Sequence, residues 1–181
     1  MLYIEKTVTL KNGKTALFRS PVASDAAEMA AYLKTCAGET DFLLRYPEEC
    51  TQTEEQEAAY LDSINRSDTD MMIVCVVDGE IAGNCQFGIG QRIKTRHRAR
   101  VAIGLLKKYW GLGIGTAMFQ EMIAACRDRG VLQLELEYVE GNERGRRLYE
   151  KMGFVQVAEK PDAIRLKDGR MLKEFAMILK L

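Results

Sequence analysis

The chain has one histidine, His97, and three prolines in 181 residues. A single imidazole excludes a multi-histidine zinc site. The five cysteines, at 36, 50, 75, 85 and 126, are odd in number and form no CxxC pair. That pattern argues against zinc ribbons, thioredoxin-like redox motifs and a complete disulfide framework, so no metal is expected. Cys75, Cys85 and Cys126 lie in apolar contexts and read as small buried hydrophobes. The longest purely apolar run, Met71 to Val77, is far too short to cross a bilayer, and no membrane partner is expected. The N-terminus, MLYIEKTVTL, lacks a basic start followed by an apolar stretch, so the expectation is a cytoplasmic chain without a secretory signal. Repeats, low-complexity tracts and linkers rich in Gly, Ser or Pro are absent as well.

Net charge is also missing: 26 basic residues balance 26 acidic ones. The balance is uneven along the chain. Residues 21–80 hold 14 acids against Lys34, Arg45 and Arg66, whereas Ile81 to Gln120 holds no acid and seven bases. One side of a domain can therefore attract cations and another anions. No aromatic interleaves the basic stripe from Arg92 to Arg100, and the overall neutrality argues against nucleic acid as a partner.

The 47% hydrophobic and 29% charged composition is that of a globular domain with a sizeable core. Asn12-Gly13 and Asp78-Gly79 each separate two strand-like runs and predict hairpins. Ser24 is expected to cap a helix running to about Leu33, followed by a loop from Cys36 to Cys50. Thr53 to Gln56 is a capping box that opens a second helix. Basic residues at every even position from Arg92 to Arg100 suggest an extended segment with one solvated side, leading into the buried strand VAIGLL. A helix ends near Arg127, Arg129 and Gly130, and LQLELEY alternates as a strand. Asn142 caps a short helix stopped by Gly153, and two final strands are joined near Asp168-Gly169. One α+β domain over residues 1–181 accounts for this order, with a mixed, mostly antiparallel sheet flanked by helices.

Four of the fifteen glycines fall between residues 104 and 115. Glycine lets backbone approach a ligand closely, and a following helix offers unpaired N–H groups and a positive dipole end, so phosphate is the natural guest. A Walker A loop is excluded because GxxxxGK is missing. A Rossmann turn remains open: strand, glycine turn, helix and strand occur in order, with Glu135 or Glu137 beyond. Against it, Thr116 occupies the position of the third glycine, and Lys107 to Trp110 separate strand from turn.

Two motifs together carry a resemblance. Trp110-Gly111-Leu112-Gly113-Ile114-Gly115 is similar to the acetyl-CoA motif Q/R-x-x-G-x-G/A of the GCN5-related N-acetyltransferases, with Trp110 replacing Gln or Arg. Asn142, Tyr149, Gly153 and Phe154 match the downstream pattern of the same superfamily at its spacing. The YWG variant resembles the branch around ribosomal-protein-type acetyltransferases. The resemblance implies acetyl-CoA as co-substrate and a primary amine, on a small molecule or a protein N-terminus, as acceptor. It implies that the amides of Leu112 to Thr116 cradle the pyrophosphate, with Lys107 and Lys108 as helpers. It further implies that the cofactor arm runs along Gly104, Leu105 and Leu106, with an N–H near Leu105 stabilising the thioester oxygen. Asn142 would contact that arm as well as cap its helix.

Tyr149 is the candidate general acid, since a phenol can protonate a departing thiolate. Periodicity by itself describes the same residue as a half-buried aromatic. The family's glutamate on the strand before the glycine turn is absent here, which leaves Glu137, a relayed water or an acid of the Glu39 to Glu49 segment to deprotonate the amine. That segment, GETDFLLRYPEE, is expected to line the acceptor pocket. Dimerisation is common in the superfamily, so the resemblance also admits a homodimer. Two alternatives stand beside this reading: a Rossmann-type oxidoreductase and a nonenzymatic CoA-binding sensor.

Overall fold

A computed structural model describes all 181 residues. The elements run β1 (Lys6–Thr9), β2 (Thr15–Arg19), α1 (Ala26–Glu39), α2 (Glu54–Arg66), β3 (Asp70–Val77), β4 (Glu80–Ile89) and β5 (Arg98–Leu105). They continue with α3 (Ile114–Arg127), β6 (Gln133–Val139), α4 (Glu143–Lys151), β7 (Val155–Arg165) and β8 (Met171–Lys180). The strands form one eight-stranded sheet in the order β1-β2-β3-β4-β5-β6-β8-β7. Only β5 and β6 pair in parallel; every other neighbour is antiparallel. This is an α+β fold, and a doubly wound Rossmann sheet, which needs successive parallel strands, is overturned by it.

Helices cover both faces, which explains why β3 is apolar without alternation. Met72 and Val74 pack with Met29, Tyr32 and Cys36 of α1 and Leu61 and Ile64 of α2. Met71, Ile73, Cys75 and Val77 join the larger core with Met118, Phe119 and Met122 of α3. Strand β6 does alternate: Leu134, Leu136 and Tyr138 are buried, while Glu135 and Glu137 turn to the opposite face.

Both predicted hairpins form. Asp78 and Gly79 take φ of 53° and 84°, the left-handed pair that a two-residue turn requires. The Thr53–Gln56 capping box is present, and Asn142 Oδ1 accepts the Gly145 N–H at 2.9 Å. Cys36, Cys75, Cys85 and Cys126 are buried and all five thiols are free.

Three local expectations are corrected. Ser24 does not cap α1; it lies inside a 3-10 turn, Ala23–Asp25, where the Asp25 carboxylate accepts the Val22 N–H and binds Arg19 in a two-pronged ion pair. Burial alone would raise the Asp25 pKa, but the Arg19 and Val22 hydrogen bonds outweigh it and hold the carboxyl below its ordinary value. Helix α1 continues past Leu33 to Glu39, because Cys36 and Ala37 add another buried turn, with Cys36 packed beside Met72 and Val74 of the sheet. The basic stripe is not one extended segment. Residues 93–97 turn, and only Arg98 and Arg100 belong to β5.

Candidate active site

The parallel ladder between β5 and β6 ends after Arg100 pairs with Glu135. Beyond it the two strands diverge, and the opening between them is a cleft of about 440 Å3. Its walls include Val101 to Leu105 on one side and Leu136 to Tyr138 on the other. The backbone of β5 is therefore unpaired along one edge. Leu106 donates its N–H to Ala82 on the β4 side, so strand alternation turns the N–H groups of Ile103 and Leu105 into the cleft. The Leu105 N–H is thus an unpaired donor at the cleft wall. Leu106 is directed elsewhere: its side chain is buried with α1 and α2, and its N–H is already bonded.

The glycine-rich turn closes one end. Gly111 and Gly113 have φ of 84° and 92°, a region costly to other residues. Gly113 caps α3 without any side-chain bond, and the N–H groups from Gly111 through Thr116 make no hydrogen bond inside the protein. Six consecutive free amides at a helix N-terminus form an anion cradle that suits a pyrophosphate. Gly115 completes it by close packing: a Cβ there would sit 2.9 Å from Leu148 of α4. Leu112 holds the turn from behind, its carbonyl accepting the Lys11 N–H at 3.1 Å.

Trp110 has a structural duty in place of the family's Gln or Arg. Its indole N–H donates to the Leu105 carbonyl at 2.9 Å, tying the end of β5 to the turn. Its ring lies 5.0 Å from the Arg144 guanidinium and 5.9 Å from the Lys107 ammonium. Two cations that border the cradle, Arg144 and Lys11, also line the cleft. Sequence reasoning missed both. Lys11 reaches the site from the first hairpin, with no local signal; Arg144, two residues past the Asn142 cap, had a positional one. Lys108 is instead bound by Glu80 at 2.5 Å.

Tyr149 lines the cleft from α4, with its ring edge-on to Phe119 at 5.6 Å. Burial pushes its phenol up to about 12. Asn142 also lines the cleft, its side-chain oxygen engaged in the α4 cap. Glu137 stands at the opposite wall, 2.5 Å from Lys160, which also binds Glu174 at 2.7 Å. These two carboxylates raise the Lys160 pKa. From the last residue of α1 and the segment after it, Glu39, Thr40, Phe42, Leu43 and Leu44 reach the cleft. Its acids do not face the interior as free charges. Asp41 and Glu48 pair with Arg170 and Lys167, and Glu49 accepts the Tyr46 N–H. Of the residues singled out in sequence, the fold brings Gly104, Leu105, Trp110, Gly111, Gly113, Ile114, Gly115, Thr116, Glu137, Asn142 and Tyr149 to one cleft, and leaves Leu106 and Leu112 outside its lining.

Solved structures of several acetyltransferases share this architecture. A GNAT-family acetyltransferase from Streptococcus pneumoniae is 27% identical and superposes with a TM-score of 0.86 over 92% of this chain and 99% of that one. Ribosomal-protein-alanine N-acetyltransferase from Brucella melitensis (22% identity, 91% and 99% of the two chains) gives 0.78. A phosphinothricin acetyltransferase from Sinorhizobium meliloti, solved in complex with acetyl-CoA, gives 0.80 at 19% identity over 96% and 89%. The last two likenesses speak for the fold alone, and the variety of their names singles out no branch. Comparison with curated proteins finds no match. The sequence model of the acetyltransferase (GNAT) family matches residues 39–154, more than half of the chain. The chain belongs to the GNAT acetyltransferase family.

Proposed function

We propose that residues 1–181 act as one domain, an acetyl-CoA-dependent N-acetyltransferase whose acceptor is a primary amine of a small molecule or a protein N-terminus. The observation that carries this reading is the run of unbonded amides from Gly111 to Thr116 beside the free edge of β5. Acetyl-CoA supplies an activated acyl group on a good leaving thiolate. The cradle, with Lys11 and Arg144 at its border, binds the phosphates. The Ile103 and Leu105 N–H groups hold the arm and stabilise charge on the carbonyl oxygen. Nitrogen bonds to the acetyl carbon, the carbon–sulfur bond breaks, and the proton that nitrogen loses balances the one sulfur gains. Tyr149 donates to the sulfur from the α4 wall. Glu137 is the carboxylate positioned to receive the amine's proton, provided the amine displaces Lys160 from it. The five free thiols support a reducing, cytoplasmic setting.

Acetyl-CoA is expected to raise the melting temperature whereas NAD does not, and a panel of amines is expected to contain one that drives release of CoA thiol. No shift at saturating acetyl-CoA would refute the proposal. A shift without turnover on any amine would favour a CoA-binding sensor.

A further inference from the structure

Glu137 borders two spaces. It lines the cleft and, with Val101 and Leu136, also lines a second hollow of about 290 Å3 on the sheet face that Glu135 and Glu137 share. The β5–β6 opening therefore gives onto both faces of the sheet, and Ala176 and Ile178 of β8 belong to the second hollow. One amine of the protein itself already stands at this carboxylate. Lys160 of β7 faces Glu174 of β8 in the ladder, and its ammonium crosses β8 to bond Glu137 of β6 at 2.5 Å and Glu174 at 2.7 Å. Ala176, the β8 partner of Glu137, puts only a methyl group beside that path. The register against β8 shifts directly after Lys160, a bulge of the kind that re-aims a side chain. No other lysine ammonium bonds an acid that lines the cleft. Lys6, Lys14, Lys108, Lys167 and Lys173 pair with Glu121, Asp78, Glu80, Glu48 and Glu159, all outside its lining.

We propose that Lys160 is an internal acetyl acceptor: the protein acetylates its own Lys160 Nζ through the β5–β6 opening, and the modification releases Glu137 for the amines that follow. The inference rests on the acetyltransferase reading above, which supplies the acetyl thioester. The Lys160 ammonium gives one proton to Glu137 along the existing hydrogen bond. Its nitrogen then bonds to the acetyl carbon, the carbon–sulfur bond breaks, and the second proton that nitrogen loses goes to the thiolate. The products are a neutral amide and CoA thiol, and Glu137 returns its proton to solvent. Glu137 and Glu174 together favour the charged form of Lys160, so the step is slow and quickens as pH rises. Afterwards the amide keeps a single N–H, which can bond only one of the two carboxylates and carries no charge to hold the other. Before modification Lys160 occupies the carboxylate that an incoming amine needs; after it, Glu137 is open.

The test incubates the full chain with acetyl-CoA isotopically labelled in its acetyl group, without added amine, and follows each lysine by peptide mass spectrometry. Lys34 is the reference, an exposed lysine outside the cleft lining. Lys160 should be labelled about tenfold faster than Lys34 or more, because only Lys160 is held beside the bound thioester. Excess CoA should suppress labelling of Lys160 by occupying the same cradle and leave Lys34 unaffected. The rate constant at Lys160 should not change with protein concentration. A Lys160 that stays unlabelled, keeps pace with Lys34 or ignores CoA overturns the proposal. A rate constant that grows with protein concentration also overturns it, since transfer would then run between molecules. The release of Glu137 is read separately. Amine-dependent thiol release by the parent protein should show a lag that preincubation with acetyl-CoA removes, whereas Lys160→Gln, uncharged and unable to be acetylated, should show none. A parent without a lag, or a lag that persists in Lys160→Gln, removes that role. Lys160 is half-exposed, so the substitution leaves the core intact. If acetyl-CoA leaves the melting temperature of the parent unchanged, the acetyltransferase reading fails; if it raises the temperature and Lys160 stays unlabelled, only the self-acetylation fails.

Discussion

Replacing Tyr149 with Phe removes one hydroxyl from the α4 wall and leaves the packing in place. The ring keeps its edge contacts with Phe119 at 5.6 Å and Phe154 at 6.3 Å. Burial is the sole cause that raises the phenol to about 12, so the hydroxyl is not held by a charged partner. A thiol ionises near 8.5, so complete proton transfer from Tyr149 to a thiolate would be uphill by about 3.5 units, or about 5 kcal/mol at about 1.36 kcal/mol per unit. Under the proposed mechanism Tyr149 would work by hydrogen-bonding to sulfur as charge develops, with the amine's own proton completing the balance. A hydrogen bond to a charged group contributes about 1.5–3 kcal/mol, so Tyr149→Phe should lower kcat by about 10- to 150-fold. Acetyl-CoA affinity, measured by calorimetry, should change little. The assay is amine-dependent thiol release at saturating acetyl-CoA, and a kcat within twofold of the parent refutes the role. The same hydroxyl has a stability signature. Its folded pKa exceeds the unfolded value of about 10, so its contribution is fully present below pH 10 and is lost as pH rises toward 12. Urea titrations of Tyr149→Phe should show an alkaline loss shallower by about 3 kcal/mol across that window. Below pH 9 the phenol does not titrate, so any rise in rate between pH 6 and 9 reports the amine or its base.

Gly113→Ala should destabilise the fold by about 1–2 kcal/mol, since φ of 92° is strained for alanine while its Cβ would meet only Lys11 at an ordinary 3.6 Å. Thermal melts check this, and acetyl-CoA affinity should fall with it; unchanged affinity would place the phosphates elsewhere. Lys11→Ala and Arg144→Ala should each weaken acetyl-CoA binding by about tenfold with kcat preserved, the expected loss of one charge-assisted contact. The deficit should shrink as salt rises, and a salt-independent deficit would mean a packing role instead.

Much of the fold was legible because local chemistry and tertiary demand agreed. Asn12-Gly13, Asp78-Gly79, the Thr53 capping box and the Asn142 cap each satisfy backbone groups within a few residues, and each element formed, although in the first hairpin Gly13 takes a positive φ and Asn12 does not. The glycine cradle was legible for a similar reason: positive φ at Gly111 and Gly113 is a local property. Errors arose where distant surfaces decide. Helix α1 runs on to Glu39 because tertiary packing buries Cys36 and Ala37, which no cap near Leu33 can foretell. The even spacing of bases from Arg92 to Arg100 described side-chain type, while residues 93–97 fold back as a turn.

By itself, the sequence determined the element order, the glycine-rich turn and the residues able to offer a proton, because each depends on short-range geometry or side-chain chemistry. Only the tertiary structure decided what those groups face. The β5–β6 separation after Arg100 and Glu135 frees the Leu105 edge and directs Leu106 into the core. Lys11 arrives at the cradle from the far end of the chain, Glu137 is met by Lys160, and Tyr46 is met by Lys167. Such pairings are long-range, set by how strands cross and pack, and one-dimensional spacing carries no record of them.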